Sequence, residues 1–301
     1  MQNMKNIGLA TGTLTSYETK YIESQIVKTV RPQLIGRQLM PTRQLPSAGY
    51  TSYYYYTEND MGQAMISMTG EEQSMDQVDL TESNVKIPII SKDYMLHWRD
   101  VLKRRDSGED LNTQHAENAA LQIAEEEDKL ILSGEYTTWP AMGIQGLITA
   151  TGKQTEAGGD WNIAAGDFSE TFGDLANAKA ALRNYGFYGP YKLIMPSAIY
   201  ALLEEPVGTT NKFAFQLVGE LIGGVENILI SNNLYPTDGT QNEVVLVDTS
   251  PGNFELLVGA DITNYLAQLP TMNYQGKVWE AVVPVIKRPK AIVEITDITL
   301  V

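Results

Sequence analysis

Residues 112–134 read NTQHAENAALQIAEEEDKLILSG, and the four consecutive acids Glu125 to Asp128 begin ten positions after His115. Carboxylates with an imidazole could hold a metal or make an acid–base pair, so their placement on the helix decides what they can do. At about 100° per residue, Ala116, Ala119, Ala120, Ile123, Ala124, Leu130 and Ile131 fall on one side, a small-residue stripe suited to close packing. Glu125 then points away from the stripe, Glu126 and Asp128 flank it, and only Glu127 falls near its middle. The four acids diverge and cannot converge on one ion. A di-iron bundle would need Glu-x-x-His on a facing helix, and neither His97 nor His115, the only two histidines, has a glutamate three residues before it. The spacing therefore predicts a structural helix with a mostly solvated acidic face and Asn112 as its cap. Glu127 is its one buried acid, paired to a cation for which the 99–105 basic cluster is the expected source.

Other chemistries fare no better. The chain has no cysteine, which excludes disulfides, thiolate metal sites and cysteine nucleophiles. There is no Walker loop, no dinucleotide glycine fingerprint after a strand and no Gly-x-Ser-x-Gly elbow. His97, beside Trp98, reads as a packed or capping residue. Thirty-seven acids offer many accidental carboxylate pairs, but no spacing singles one out. A soluble hydrolase using carboxylates is the enzymatic alternative; a deep cleft in a monomer or dimer would mark it. No catalytic residue, metal or cofactor is assigned.

The elements that must carry these residues are those of an ordinary globular chain of 301 residues with 43% hydrophobic and 20% charged residues. No apolar run approaches the roughly 18 residues of a membrane span, and the opening residues have no signal-peptide h-region, so an intracellular product without a membrane phase is expected. The net charge of −15 is uneven. Residues 1–105 carry 12 Lys/Arg against 11 Asp/Glu, and the remainder 10 against 26. So acidic a body will not bind nucleic acid through its overall field. Lys20, Lys28, Arg31, Arg37, Arg99, Lys103, Arg104 and Arg105 are the only group able to supply a basic face, expected to line a lumen.

A helix is predicted from about residue 15, ended by Pro32 and Gly36, then a proline-punctuated linker over 41–49. Period-two alternation at Tyr53–Tyr56 and again at Val85, Ile87 and Ile89 predicts a two-stranded arm of about 40 residues with a polar tip. Such a hairpin is marginal alone, and tyrosine is enriched where surfaces meet partners. Tyr53, Tyr54, Tyr55 and Tyr56 are therefore expected to contact another subunit. A short helix around 93–105 and the long helix follow. Residues 153–167 read as an exposed loop. A helix over 169–185, a buried strand at Tyr191–Met195 with a helix behind it, and strands at ENILIS, EVVLVD and FELLVG make a compact α/β unit. Long strands interrupted by Pro284 and Pro289 close the chain, at edges or bends.

Three stretches resemble the encapsulin shell proteins, which share the tailed-bacteriophage capsid fold. They are EEEDKLILSG followed by GIQGLI, then GPYKLIMPSAIYALLEE with LVGELIGGVENIL, and VVLVDTSPGNFELLVGADITNYL. The closing RPKAIVEI matches the family's last strand in character. The resemblance implies an α+β subunit of the bacteriophage-capsid (encapsulin-like) fold. Its parts would be an N-terminal arm (1–47), an extended hairpin loop (48–92), a peripheral domain with a spine helix (93–136), an axial domain (137–267) and terminal strands of the peripheral domain (268–301). The N-terminal third departs from the family's pattern: the usual Ala-Trp opening helix, which helps form the cargo groove, is not seen. The expected function is thus a self-assembling shell subunit, first a viral major capsid protein enclosing a genome, and alternatively an encapsulin nanocompartment enclosing cargo enzymes. Its partners would be many copies of itself, packaged nucleic acid and minor capsid proteins. Its location would be a virion assembled in the host cytoplasm, or a cytoplasmic nanocompartment.

Overall fold

In the computed structural model, residues 16–30, 35–58, 68, 80–107, 113–134, 142–161, 168–208, 212–234 and 243–299 are described. The alanine-rich stripe does what its spacing dictates. Helix α4 (Gln114–Ser133) buries Ala116, Ala119, Ala120, Ile123, Ala124, Leu130 and Ile131. Small side chains let its axis lie close to a sheet and to α1 (Ser16–Val30), which meets it through Ile22 and Ile26. The helix stops at Gly134, where φ is 74°, a left-handed value that glycine adopts without a Cβ penalty. The chain then returns across the helix end. The Leu147 and Ile148 amides donate to the Ile131 and Leu132 carbonyls, two of the acceptors that a helix terminus leaves unpaired. That return is so close that a Cβ on Gly146 would sit 2.2 Å from the Gly134 nitrogen. The Asn112 cap lies outside the described residues; Thr113, next to it, donates its hydroxyl to Glu117.

The sheet under α4 has the order β1 (Thr42–Gln44), β9 (Phe254–Gln268), β10 (Tyr274–Ile286), β4 (Ile89–Leu96). β9 and β10 form a long antiparallel pair, β4 adds antiparallel to β10, and β1 lies parallel to the start of β9. Pro284 is tolerated inside β10 because β4 pairs only as far as Ala281; beyond that point β10 is an edge on that side, as the proline requires. The residues expected to start a short helix at 93 instead complete β4. Helix α3 begins only at Trp98 and runs to Ser107. Cross-strand burial of Tyr94 and Leu96 against Tyr274 and Val278 overrides the local helical pattern.

The arm is an antiparallel pair, β2 (Ser52–Glu58) with β3 (Leu80–Lys86), in register from Ser52↔Lys86 to Glu58↔Leu80. Its tip lies outside the described residues.

A second sheet has the order β5 (Gln154–Ala157), β11 (Ile292–Thr296), β8 (Val244–Asp248), β6 (Tyr191–Met195), β7 (Ile228–Ile230). Helices α5 (Ser169–Asn184), α6 (Ser197–Leu203) and α7 (Ala214–Ile222) pack one core around Leu175, Leu182, Leu193, Ile199, Val218 and Leu246. The opposite face, with Ile194, Val245, Val247 and Ile292, joins the core under α4. One expectation changes here: part of the supposed loop 153–167 is β5, recruited by parallel pairing with β11. The final strand β11 belongs to this second sheet, while β9 and β10 belong to the first. Register pairing across the chain, not proximity along it, sets the partners.

Candidate functional site

The acid at the centre of the small-residue stripe is fully buried. Glu127 accepts from Arg37 Nε at 2.7 Å. The same guanidinium reaches Asp261 on β9 at 2.8 Å and Glu280 on β10, also fully buried, at 3.3 Å. Next along α4, Asp128 accepts from the backbone N–H of Gly36 at 2.8 Å and of Ile35 at 3.3 Å. Arg37 and Gly36 belong to the short helix α2 (Gly36–Leu39) that leads from α1 to the first sheet. The approach is close: a Cβ at position 36 would lie 2.4 Å from Ile131 Cδ1, so that side chain would have to shift. The expected cation from the 99–105 cluster is therefore replaced by Arg37. Asp128, expected at the edge of a solvated face, is buried at the foot of α2 because backbone donors there give it partners.

The electrostatics follow from one cation among three carboxylates. Burial and the neighbouring Glu127 carboxylate push Glu280 up to about 9. Burial likewise raises Glu127, against the pull of Arg37, and lifts Asp128 to about 6. Burial opposes the charge of Arg37, but Glu127 and Asp261 outweigh it and hold its pKa above the ordinary guanidinium value. One oxygen of Glu127 and one of Glu280 are buried without a hydrogen-bond partner. Among the described residues no three of His, Asp and Glu are placed to hold a metal. The cluster's work is positional: it ties α2, α4, β9 and β10 at one point.

The four tyrosines of the arm divide. Tyr53 and Tyr55 are half-buried against their own subunit's core, and the Tyr53 hydroxyl accepts from Arg43 at 2.9 Å. In a two-faced strand, alternate side chains lie on the body that carries it. Tyr54 and Tyr56 point the other way and are 57% and 58% exposed. A second open face lies on the far side of the first sheet. Met95 and Ile89 on β4 and Tyr265 on β9 are exposed there, with the Lys277–Asp93 pair between them.

The described basic residues are spread over α1, α2 and α3. Lys20 and Lys28 are exposed on α1, and Arg99 and Lys103 are exposed on α3. Arg104 is half-buried, Arg31 lies outside the described residues, and nothing is described for the Arg105 side chain. Arg37 is removed from any basic face by its three acids. His97 is exposed and caps α3 with its carbonyl, which accepts from Asp100 and Val101. Sequence reasoning missed Glu280 and Asp261. The signal for Glu280 was present in KVWEAVVPV, where it shares the inward phase of Val278 and Val282. Asp261 is exposed and left no such mark.

A spine helix on one sheet, a second sheet covered by three helices, and a two-stranded arm define the shell-subunit fold of tailed-phage capsids. The virus-like particle of Pyrococcus furiosus matches with a TM-score of 0.70 at 18% identity, covering 93% of this chain and all of that one. The capsid of Myoviridae phage XM1 matches with a TM-score of 0.66 at 10% identity, covering 98% of each chain. The family model described as encapsulating protein for peroxidase matches residues 4–282, and the chain belongs to that family. Its relatives include a type 1 encapsulin shell protein of Myxococcus xanthus, 27% identical across 95% of this chain and 94% of the relative. A diheme-cytochrome–encapsulin shell fusion protein of Kuenenia stuttgartiensis is 26% identical over 90% of this chain and 70% of its own length. The match from residue 4 corrects the expectation that the N-terminal third stands apart from the family. The chain is a subunit that assembles in many copies into a closed shell.

Proposed function

We propose that this chain builds a protein nanocompartment that encloses protein cargo in the cytoplasm, and that it performs no chemistry itself. This replaces the viral capsid reading put first from the sequence. The observation that carries it is the family match, which runs through the N-terminal segment where the viral preference rested. Phage capsids support only the shared fold, at 10% identity for phage XM1. Loss of Arg37 from the basic set also weakens the case for a lumenal nucleic-acid face.

Assembly works through faces that one copy leaves uncovered. Tyr54 and Tyr56 give the arm an outer aromatic surface, and the bare face of the first sheet presents Ile89, Met95 and Tyr265. In a shell closed by repeated heterologous contacts, such faces meet those of neighbours and no edge is left over. The test is expression of this chain alone, followed by nuclease treatment and negative-stain imaging. Uniform closed particles without nucleic acid, able to retain a co-expressed cargo protein of the same source, are expected. Species below about a dozen subunits across salt and pH would sink the shell reading for this chain. Particles that retain nuclease-protected nucleic acid would return the viral one.

A further inference from the structure

The Arg37 cluster brings more carboxylate into the interior than its cation can neutralise. Glu127 and Glu280 are both fully buried, both reach the same guanidinium, and each keeps one oxygen with no hydrogen-bond partner. The third acid on Arg37, Asp261, is exposed and can be screened by water. Two buried carboxylates beside one cation leave a net negative charge in a medium where an unpaired ion costs several kcal/mol. Two glutamic oxygens that lack donors, on groups held at one guanidinium, have a simple remedy, a proton between them. We propose that Glu127 and Glu280 share one proton at neutral pH, and that this proton ties the spine helix α4 to the β9–β10 pair.

Every element around the pair contributes to its balance. Arg37 from α2 favours ionisation, whereas Asp128 from α4 and Asp261 from β9 oppose it. The proton belongs to the pair as a unit, as coupled carboxyl groups require. Burial and Glu127 place the release of the Glu280 proton at about 9, against an ordinary value of 4.5. The sign is then fixed. The folded subunit holds a proton that the unfolded chain, with ordinary carboxyls, releases, so this contribution to stability is fully present below about 4.5 and is lost progressively as pH rises to about 9. Asp128, raised from 3.8 to about 6, adds the same trend only at lower pH. Between pH 6.5 and 8.5 the linked proton alone should raise the unfolding constant about tenfold per unit, about a hundredfold in all. The shared proton is independent of what the shell encloses.

Two readouts test it. The first is infrared spectroscopy of the unaltered protein in heavy water. A protonated carboxyl C=O band should persist at pH 7.5, disappear on titration through about pH 9, and be missing at pH 7.5 in Glu280→Gln. It should remain in Asp261→Asn, which removes only the exposed acid. The second is chemical denaturation of the subunit at each pH. The unfolding constant should rise about a hundredfold more from pH 6.5 to 8.5 in the parent than in Glu280→Gln. A parent spectrum without the band at pH 7.5 overturns the proposal, even if the variant fails to fold. So does an equal rise in the unfolding constant in parent and variant.

Discussion

The two sheets of this subunit are finished to different degrees. In the second sheet β8 is buried at all five positions, because α5, α6 and α7 cover one face and the core under α4 covers the other. In the first sheet β4 alternates, with Tyr94 and Leu96 buried under α1 and α4 while Ile89, Ser91, Asp93 and Met95 remain exposed. The arm repeats this division, Tyr53 and Tyr55 inward and Tyr54 and Tyr56 outward. One sheet is completed by its own chain. The other, with its arm, leaves apolar area exposed among the described residues, and a shell subunit needs both kinds of region.

If that contrast is right, substitutions should sort into those that unfold the subunit and those that spare folding and weaken assembly. The largest effect is expected in the completed sheet. Leu246→Ala, at a fully buried site, should cost about 4 kcal/mol in chemical denaturation. A loss below about 1 kcal/mol would mean that this core is loosely packed. Arg37→Met comes next, at about 3 kcal/mol, because it leaves Glu127 and Glu280 buried without their cation. Much of that loss should be recovered when Glu280→Gln is added. Non-recovery would show that Arg37 acts through packing instead.

The arm offers the sharpest discrimination. Tyr54→Ser with Tyr56→Ser should leave the subunit folded yet weaken each intersubunit contact by about 2 kcal/mol per aromatic, read as a raised concentration threshold for particles in light scattering. Tyr53→Ser with Tyr55→Ser should instead lower the subunit's own stability, since those rings pack on its core. Equal behaviour of the two pairs would erase the distinction between the faces. The smallest effect is expected on α1. Lys20→Gln with Lys28→Gln, at exposed positions, should change stability by less than about 0.5 kcal/mol and leave particle yield unaltered.

Much of this was legible in the residues themselves. The stripe from Ala116 to Ile131 set the buried face of α4, and its phase placed Glu127 inside, because helical periodicity is a local property of the chain. The alternation of Tyr53–Tyr56 set a two-faced arm, although not which face its own subunit would claim. What the sequence could not reveal depends on contacts between distant segments. Arg37 stands 90 residues from Glu127 and 243 from Glu280, and nothing in the run LIGRQL distinguishes the partner of buried acids from a surface cation. The recruitment of β5 by β11, the extension of β4 through Leu96, and the membership of the last strand are decided by which edges remain unpaired once the long strands have met. Local pattern determined what each segment can be; tertiary pairing determined its partner, because burial and ladder hydrogen bonds are satisfied only between segments that the fold brings together.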